Sequence, residues 1–116
     1  MNTEAPNLFD LASKRLKWLS DRQKTISENI ANSETSGFRA KEVESFDDYL
    51  VKASKVEVSP DAISAESEQT WGEDLTGNSV VLEEQILAAS STASQYKIAA
   101  NLYRKAHSML RAVAGG

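Results

Sequence analysis

The chain has no cysteine, a single histidine and only two prolines among its 116 residues. Without cysteine, disulfides, thiolate metal ligands and thiol nucleophiles are excluded. No uninterrupted apolar run approaches the roughly 20 residues that a membrane-spanning helix needs. The N-terminal stretch has no basic start, continuous apolar core or small-residue cleavage site, so we expect no cleaved secretory signal. A chain of this length also leaves little room for an enclosed active site.

Charge is distributed unevenly along the chain, whose net charge is −4. Residues 8–32 carry five basic and three acidic side chains, and residues 76–116 carry four basic and two acidic ones. Residues 42–75, between them, carry ten acids against two bases. A net charge of +2 on each end is too weak for a surface that follows a phosphate backbone, so we expect no nucleic-acid partner.

Few residues could carry catalysis. His107 lies within a helical pattern, where a histidine is far more often a packing residue than a metal ligand. Glu83 and Glu84 stand where a helix begins, and acids there stabilise the positive end of the helix dipole. The sequence also has no glycine-rich phosphate loop. We therefore predict no catalytic residue, no metal site, no cofactor and no small-molecule substrate.

Apolar residues recur at alternating spacings of three and four near both ends of the chain, which is typical of a stripe that faces a partner helix. The pattern predicts helices over about 8–32 and 79–113, the second one capped by Asn78 or Ser79. Two such helices most simply fold back as an antiparallel coiled coil. The predicted seam contains Phe9, Leu16, Leu19, Ile26 and Ile30 from the first helix and Leu82, Ile86, Tyr96, Tyr103 and Leu110 from the second.

The second helix carries another apolar stripe on a neighbouring face, at the same alternating spacing. One partner helix cannot cover both stripes. The second stripe is therefore predicted to pack against other subunits, through Leu102, Ala106, Met109 and Val113.

Residues 33–78 differ from both ends. Within them, residues 50–78 are rich in serine and acids and contain Pro60, Gly72 and Gly77, which favour loops. Only residues 55–58, Lys-Val-Glu-Val, alternate in a way that could make a strand. We expect a turn and an extended acidic connection here. The predicted fold is therefore a single all-α domain over 1–116, an elongated antiparallel coiled coil with an extended, partly irregular middle segment.

The end of the first helix predicts a sharp turn. Ile30 is the last seam residue, Asn32 suits a left-handed helix end, and Gly37 permits positive φ. Phe38 then returns to an apolar surface. On this chemistry alone the stretch is either a helix exit with a hydrophobic anchor or a dedicated docking loop.

Three motifs and an opening Leu-Phe-Asp-Leu-Ala at 8–12 occur in a characteristic order. Residues 28–32 read Glu-Asn-Ile-Ala-Asn, residues 35–41 read Thr-Ser-Gly-Phe-Arg-Ala-Lys, and residues 77–84 read Gly-Asn-Ser-Val-Val-Leu-Glu-Glu. Together they resemble the axial proteins of the bacterial flagellum, and within that family the proximal rod proteins. Ser36 stands where the family usually has proline, and His107 where an aromatic is expected. The motif turn that the resemblance marks comprises Asn29, Ile30, Ala31, Asn32, Thr35, Gly37 and Phe38.

The resemblance implies a structural subunit of the flagellar basal body, exported by the flagellar type III apparatus without a cleavable signal and placed in the periplasmic rod. Its implied partners are other copies of itself, other flagellar rod proteins, and the membrane-ring and export-gate components at the rod base. There it would transmit motor torque and help to form the export channel. The alternative is a soluble coiled-coil adaptor that binds one partner helix, and self-assembly separates the two.

Overall fold

The computed structural model describes residues 4–56, 58–66 and 77–114. This part of the chain is elongated, with extents of 62 × 26 × 16 Å. Among the described residues, no helix combines the length and apolar character that crossing a membrane requires. The elements, in chain order, are α1 (Glu4–Ala31), β1 (Lys41–Val43), α2 (Phe46–Ala53), β2 (Ser64–Glu66) and α3 (Gly77–Ala114).

The two long helices, α1 and α3, pack together side by side and run in opposite directions. Phe9 near the start of α1 lies against Tyr103 near the end of α3, with ring centroids 4.5 Å apart. At the other end, Asn29 of α1 bonds Gln85 of α3. The fold is thus mostly helical, with α1 beginning four residues before the predicted start and α3 two residues before it.

The segment between the helices is more ordered than the extended connection that the sequence predicts. We call residues 41–66 the middle lobe. In it β1 pairs antiparallel with β2, and Val43 lies opposite Ser64. The helix α2 between these strands begins because the Ser45 hydroxyl accepts the Asp48 N–H, at 3.2 Å. The all-α description therefore needs correction for a small two-stranded sheet.

The predicted strand at residues 55–58 does not form in the part of this segment that the structure describes. Lys55, Val56 and Val58 lie in turns and bends, and Glu57 lies outside the described residues. The sheet uses residues 41–43 and 64–66 instead. An alternating stretch of four residues forms a strand only if it pairs with another strand. The two strands that do pair lie before and after α2.

The hydrophobic core lies where the middle lobe meets α1 and α3. Its buried cluster contains Trp18 and Leu19 of α1, Tyr49 and Ala53 of α2, and Ala99 of α3. Tyr49 and Ala53 are four residues apart, so they lie on the same side of α2. The core therefore fastens the lobe to α1, against which α3 packs, at about the middle of the molecule.

Candidate assembly surface and motif turn

The structure places the predicted α1 seam residues toward α3. Leu19 and Ile26 are buried. Phe9, Leu16 and Ile30 are half-buried. All five predicted seam residues of α1 are thus at least half-buried, and Phe9 packs on Tyr103 of α3.

The contact side of α3 is rotated from the predicted seam. Ile86 and Tyr96 are 52% and 44% exposed, while Thr92, Ala99 and Ala106 are buried. The α3 contact line thus runs between the two stripes that the sequence shows. Small residues on this line let α1 approach closely, and the larger side chains of α1 fill the space above them. The remaining predicted seam residues of α3, Leu82, Tyr103 and Leu110, are half-buried.

This rotation changes the predicted subunit-packing set. Ala106 has no exposed surface, so it belongs to the contact within the chain and not to a contact between subunits. Met109 is half-buried. Leu102 and Val113 are 37% and 61% exposed and remain available to a neighbour.

Two further apolar residues of α3, which belong to neither predicted stripe, are also exposed. Leu87 and Ile98 are 70% and 69% exposed. They share a side of α3 with Leu102 and Val113. Ile98 follows Leu87 by eleven residues, which is about three helical turns, and Leu102 follows Ile98 by four residues, which is about one turn. Val113 follows Leu102 by another eleven residues. The eleven-residue spacing is the signal that could have identified them. We call these four residues, Leu87, Ile98, Leu102 and Val113, the outer stripe.

Asn29 joins three elements inside the motif turn. Its side chain is buried, with 1% of its surface exposed. The amide Nδ2 donates to the Lys41 carbonyl at 2.8 Å and to Gln85 Oε1 at 3.0 Å. Its Oδ1 accepts the Lys41 N–H at 2.9 Å. One side chain thus satisfies the backbone of β1 and ties it to α1 and α3.

The rest of the turn is built mainly from backbone hydrogen bonds, with a contribution from the Asn32 side chain. After Ala31 ends α1, the Asn32 N–H and side-chain Nδ2 both donate to the Glu28 carbonyl, at 3.0 and 2.9 Å. The Thr35 N–H donates to the Asn32 carbonyl, and the Phe38 N–H to the Thr35 carbonyl. Phe38 is half-buried.

Positive φ occurs at Gly37, with φ of 80°, and at no non-glycine position of the described residues. The prediction of a left-handed Asn32 is therefore wrong, and the prediction for Gly37 is confirmed. A Cβ on Gly37 would meet no atom within 4 Å. Backbone strain alone therefore favours glycine there.

Polar contacts hold the middle lobe to α1. The Trp18 indole N–H donates to the Glu44 carbonyl at 2.8 Å. Asp21 accepts the Ala62 N–H at 2.8 Å, and the Glu44 carboxylate accepts the Ile63 N–H at 2.6 Å. Two carboxylates, one on α1 and one in the lobe, thus bind consecutive backbone N–H groups just before β2.

These contacts shift the ionisation of the groups involved. Burial raises the pKa of the Glu44 carboxyl, but the Ile63 N–H and the Lys52 ammonium outweigh burial and hold that pKa below its ordinary value. Hydrogen bonds to Asp21 and Asp61 raise the pKa of Lys17. Glu44 is therefore a carboxylate in the docked lobe, and Lys17 is protonated.

Arg15 lies between two aromatic rings at the junction of the lobe and the helices. Its guanidinium carbon is 4.9 Å from the Trp18 ring centroid and 4.7 Å from that of Phe46. It also donates to Gln95 Oε1 of α3 at 2.9 Å. Burial, followed by repulsion from Arg22, lowers the pKa of Arg15. Arg15 is thus a packing residue that connects α1, α2 and α3.

A cleft of about 360 Å³ opens between α1, β1, the start of α2 and the first part of α3. Its walls combine apolar side chains with residues that already bond across the junction. Among the described residues, no three histidine, aspartate or glutamate side chains come together as a metal site would require. The cleft is lined by Trp18, Arg22, Thr25, Ile26, Lys41, Glu42, Val43, Glu44, Ser45, Phe46, Gln85 and Ala88.

Comparison with known proteins finds the same regions. The family described as flagella basal body rod protein matches residues 9–39, which hold most of α1 and the motif turn. The flagellar basal body rod protein FlgB of Agrobacterium fabrum strain C58 is 31% identical over 119 aligned residues, which cover 89% of this chain and 89% of that protein.

A helical hairpin with a structured turn, aligned over nearly its whole length with a rod protein, defines the chain as a structural protein of the bacterial flagellum. It belongs to the FlgB-type flagellar basal body rod proteins. Its location is accordingly the rod of the flagellar basal body, where it serves motility. Membership of a structural family implies a protein that is not an enzyme.

Proposed function

We propose that this chain is a subunit of the proximal rod that the flagellar type III apparatus exports and that assembles with copies of itself and with other rod proteins. At the rod base it contacts membrane-ring and export-gate components. The assembled tube transmits motor torque and forms part of the export channel. The whole chain, 1–116, acts as one rod-type domain.

The outer stripe is the observation that carries this proposal. Its four residues are exposed although α1 already covers the neighbouring side of α3. Burying an aliphatic side chain of this size is worth roughly 1.5–3 kcal/mol, and in a tubular array the same contact would recur in every subunit. A row of exposed apolar residues along a helix is typical of an interaction surface.

Imperfect packing between the long helices supports export as an unfolded chain. Thr92 Oγ1 and Gln23 Oε1 are buried, and neither has a hydrogen-bond partner among the residues that the structure describes. A buried polar atom without a partner costs about 1–3 kcal/mol. The hairpin is therefore less stable than an apolar seam would make it, which favours unfolding before passage through a narrow channel.

The experiment places acidic residues on the outer stripe. The variant Ile98→Glu/Val113→Glu puts charge at two well-exposed positions, so the isolated chain should keep its helix content and its unfolding free energy within about 1 kcal/mol. In cells it should be exported but absent from purified basal bodies, and motility should be lost. A charge-matched control, Ser20→Glu/Ser27→Glu, changes two exposed residues of α1 and should enter the rod.

Complete rods built from the Ile98→Glu/Val113→Glu variant would show that the outer stripe is not a subunit contact. The rival function, a soluble adaptor that binds one partner helix, predicts a different result. In that case the wild-type chain itself would be absent from basal bodies and would remain in the cell with its partner.

A further inference from the structure

We propose that residues 60–63, which we call the strap, release from α1 in a step that opens the middle lobe while α1 and α3 stay paired. The chain then has two ordered states, one with the lobe closed on α1 and one in which only the hairpin is folded. The open state uncovers the side of α1 that carries Trp18. This inference concerns the single chain, so it does not depend on the proposed assembly into the rod.

The strap is bound to α1 by two charged side chains that lie one helical turn apart. The Lys17 ammonium donates to the Asp61 carboxylate at 2.8 Å. Asp21 accepts the Ala62 N–H at 2.8 Å, and it also accepts from Lys17 at 2.8 and 2.9 Å. Asp21 therefore holds the strap both directly and through Lys17.

Within the lobe, the strap is bound to α2 and to the residue that follows β1. The Tyr49 hydroxyl donates to the Pro60 carbonyl at 2.8 Å. The Glu44 carboxylate accepts the Ile63 N–H at 2.6 Å, and the Glu44 N–H donates to the Ile63 carbonyl at 2.8 Å. The strap thus connects both parts of the lobe to α1.

Little of the strap is buried. Asp61 and Ile63 are exposed, and the other two residues are half-buried. Polar bonds at an exposed site exchange for bonds to water at small net cost. Among the described residues, the other hydrogen bonds between the lobe and α1 start from the buried side chains of Trp18 and Asn29. The strap is therefore the part of the lobe that leaves α1 most easily.

The rest of the lobe needs α1 to keep its structure. Tyr49 and Ala53 of α2 pack in one buried cluster with Trp18 and Leu19 of α1. The helix α2 has eight residues, and each strand has three. A helix this short and a two-stranded sheet are marginal in water without a surface to pack on. Loss of this packing therefore unfolds α2 and the sheet together.

The hairpin, by contrast, has contacts far from the lobe. Phe9 packs on Tyr103, and Ala12 and Ala106 have no exposed surface. Phe9 lies nine residues before Trp18, which is about 13 Å along α1. These contacts remain when the lobe opens, whereas unfolding of α1 removes the surface on which the lobe packs. The lobe therefore opens at a lower free energy than the hairpin does.

Native-state amide hydrogen exchange separates the two steps. It is followed by NMR on the purified chain, at urea concentrations below the unfolding transition. Ala53 and Ala62 are the lobe reporters, and Ala12 and Ala106 are the hairpin reporters. We expect the lobe reporters to be protected at least about tenfold less than the hairpin reporters. Their exchange should also depend less on urea, because opening the lobe exposes less surface than unfolding the chain.

Two variants test the order of the steps. Asp21→Ala removes the bond to the Ala62 N–H, which exists only while the lobe is closed, so it should lower the protection of the lobe reporters by about tenfold or more. Phe9→Ala weakens a contact that persists when the lobe opens, so it should lower the protection of the hairpin reporters alone.

The matched control for Asp21→Ala is Asp10→Ala. Asp10 pairs with Lys14 one turn away on the same helix, and its side chain is 64% exposed. An exposed pair of this kind contributes little to stability, so the control should change the protection of the lobe reporters by less than about twofold.

The inference is overturned if all four reporters show the same protection and the same urea dependence, since the chain then unfolds in one step. It is also overturned if Ala62 loses protection while Ala53 matches the hairpin reporters, if Phe9→Ala lowers the protection of the lobe reporters equally, or if Asp10→Ala acts like Asp21→Ala. These measurements do not require the chain to enter basal bodies, so failure of the proposed function is distinguishable.

Discussion

Asn29 shows how one residue can determine the start of the middle lobe. At the edge of β1 its side chain makes the two hydrogen bonds that a neighbouring strand would make, one to the N–H and one to the carbonyl of Lys41. Its remaining amide hydrogen goes to Gln85. Asparagine suits this position because its amide offers a donor and an acceptor on one short side chain.

Replacing Asn29 by alanine should destabilise the hairpin. The change leaves the Lys41 N–H and carbonyl without these partners beside a buried site, and we expect a loss of about 2–3 kcal/mol in unfolding free energy. Urea unfolding followed by circular dichroism measures it. Asn32→Ala is the matched control, because Asn32 lies one turn further along and its amide nitrogen bonds only to the Glu28 carbonyl. Equal losses in the two variants would contradict the role assigned to Asn29.

The sequence marks Asn29 as part of a motif but does not give its contacts. Its partners Lys41 and Gln85 lie 12 and 56 residues away along the chain. Gly37 is different, because a helix end followed by serine, threonine and glycine predicts positive φ from local chemistry alone. Local turns could therefore be predicted here, whereas a side-chain bond between distant segments required the fold.

At the scale of elements, α3 shows where periodicity is insufficient. It has two apolar stripes, and their spacing alone does not show that the contact line runs between them. Thr92, Ala99 and Ala106 lie at the contact with α1 because α1 contributes the large side chains there and α3 the small ones. On α1 the residues that the periodicity predicts as the seam are all at least half-buried.

The element α2 was missed for a related reason. It has eight residues, from Phe46 to Ala53, which is too few for a clear helical repeat. Its stability comes from the Ser45 cap and from Tyr49, whose hydroxyl donates to the Pro60 carbonyl at 2.8 Å. Acid-rich composition pointed to a solvated connection, but the acids Asp47 and Asp48 stabilise the first turn of α2.

The internal structure of the middle lobe should weaken in acid. The folded-state pKa of Glu44 lies below its ordinary value, so its contribution to stability is present above the unfolded pKa and is lost as the pH falls through the folded pKa. Protonation removes the charge that holds Lys52 and the Ile63 N–H. Fluorescence of Trp18 reports the change, in a Trp71→Phe background because the chain has two tryptophans.

The Glu44→Gln variant is the control for this pH dependence. It should make the lobe less stable at neutral pH, by about 1 kcal/mol, and show a flatter response to acid. Asp61→Asn removes an exposed partner of Lys17 and should keep the acid response of Glu44. If Glu44→Gln and the wild-type chain respond to acid alike, another group controls the stability of the lobe in acid.

At the scale of the whole molecule, the fold has a small core and a large exposed surface. The buried apolar cluster at the lobe is small, and a hairpin 62 Å long exposes most of its remaining side chains. Small cores give marginal stability, so we expect an elongated chain of this kind to gain much of its order from neighbours in the rod. This agrees with membership of a family that builds a rod.

The most direct test of the central claim, that the outer stripe is buried between subunits in the rod, is an electron cryo-microscopy map of basal bodies from the bacterium that carries this chain. We predict repeated copies of the α1 and α3 hairpin in the proximal rod, with Leu87, Ile98, Leu102 and Val113 covered by neighbouring subunits. A proximal rod without this hairpin, or a hairpin whose outer stripe faces water, would contradict the account.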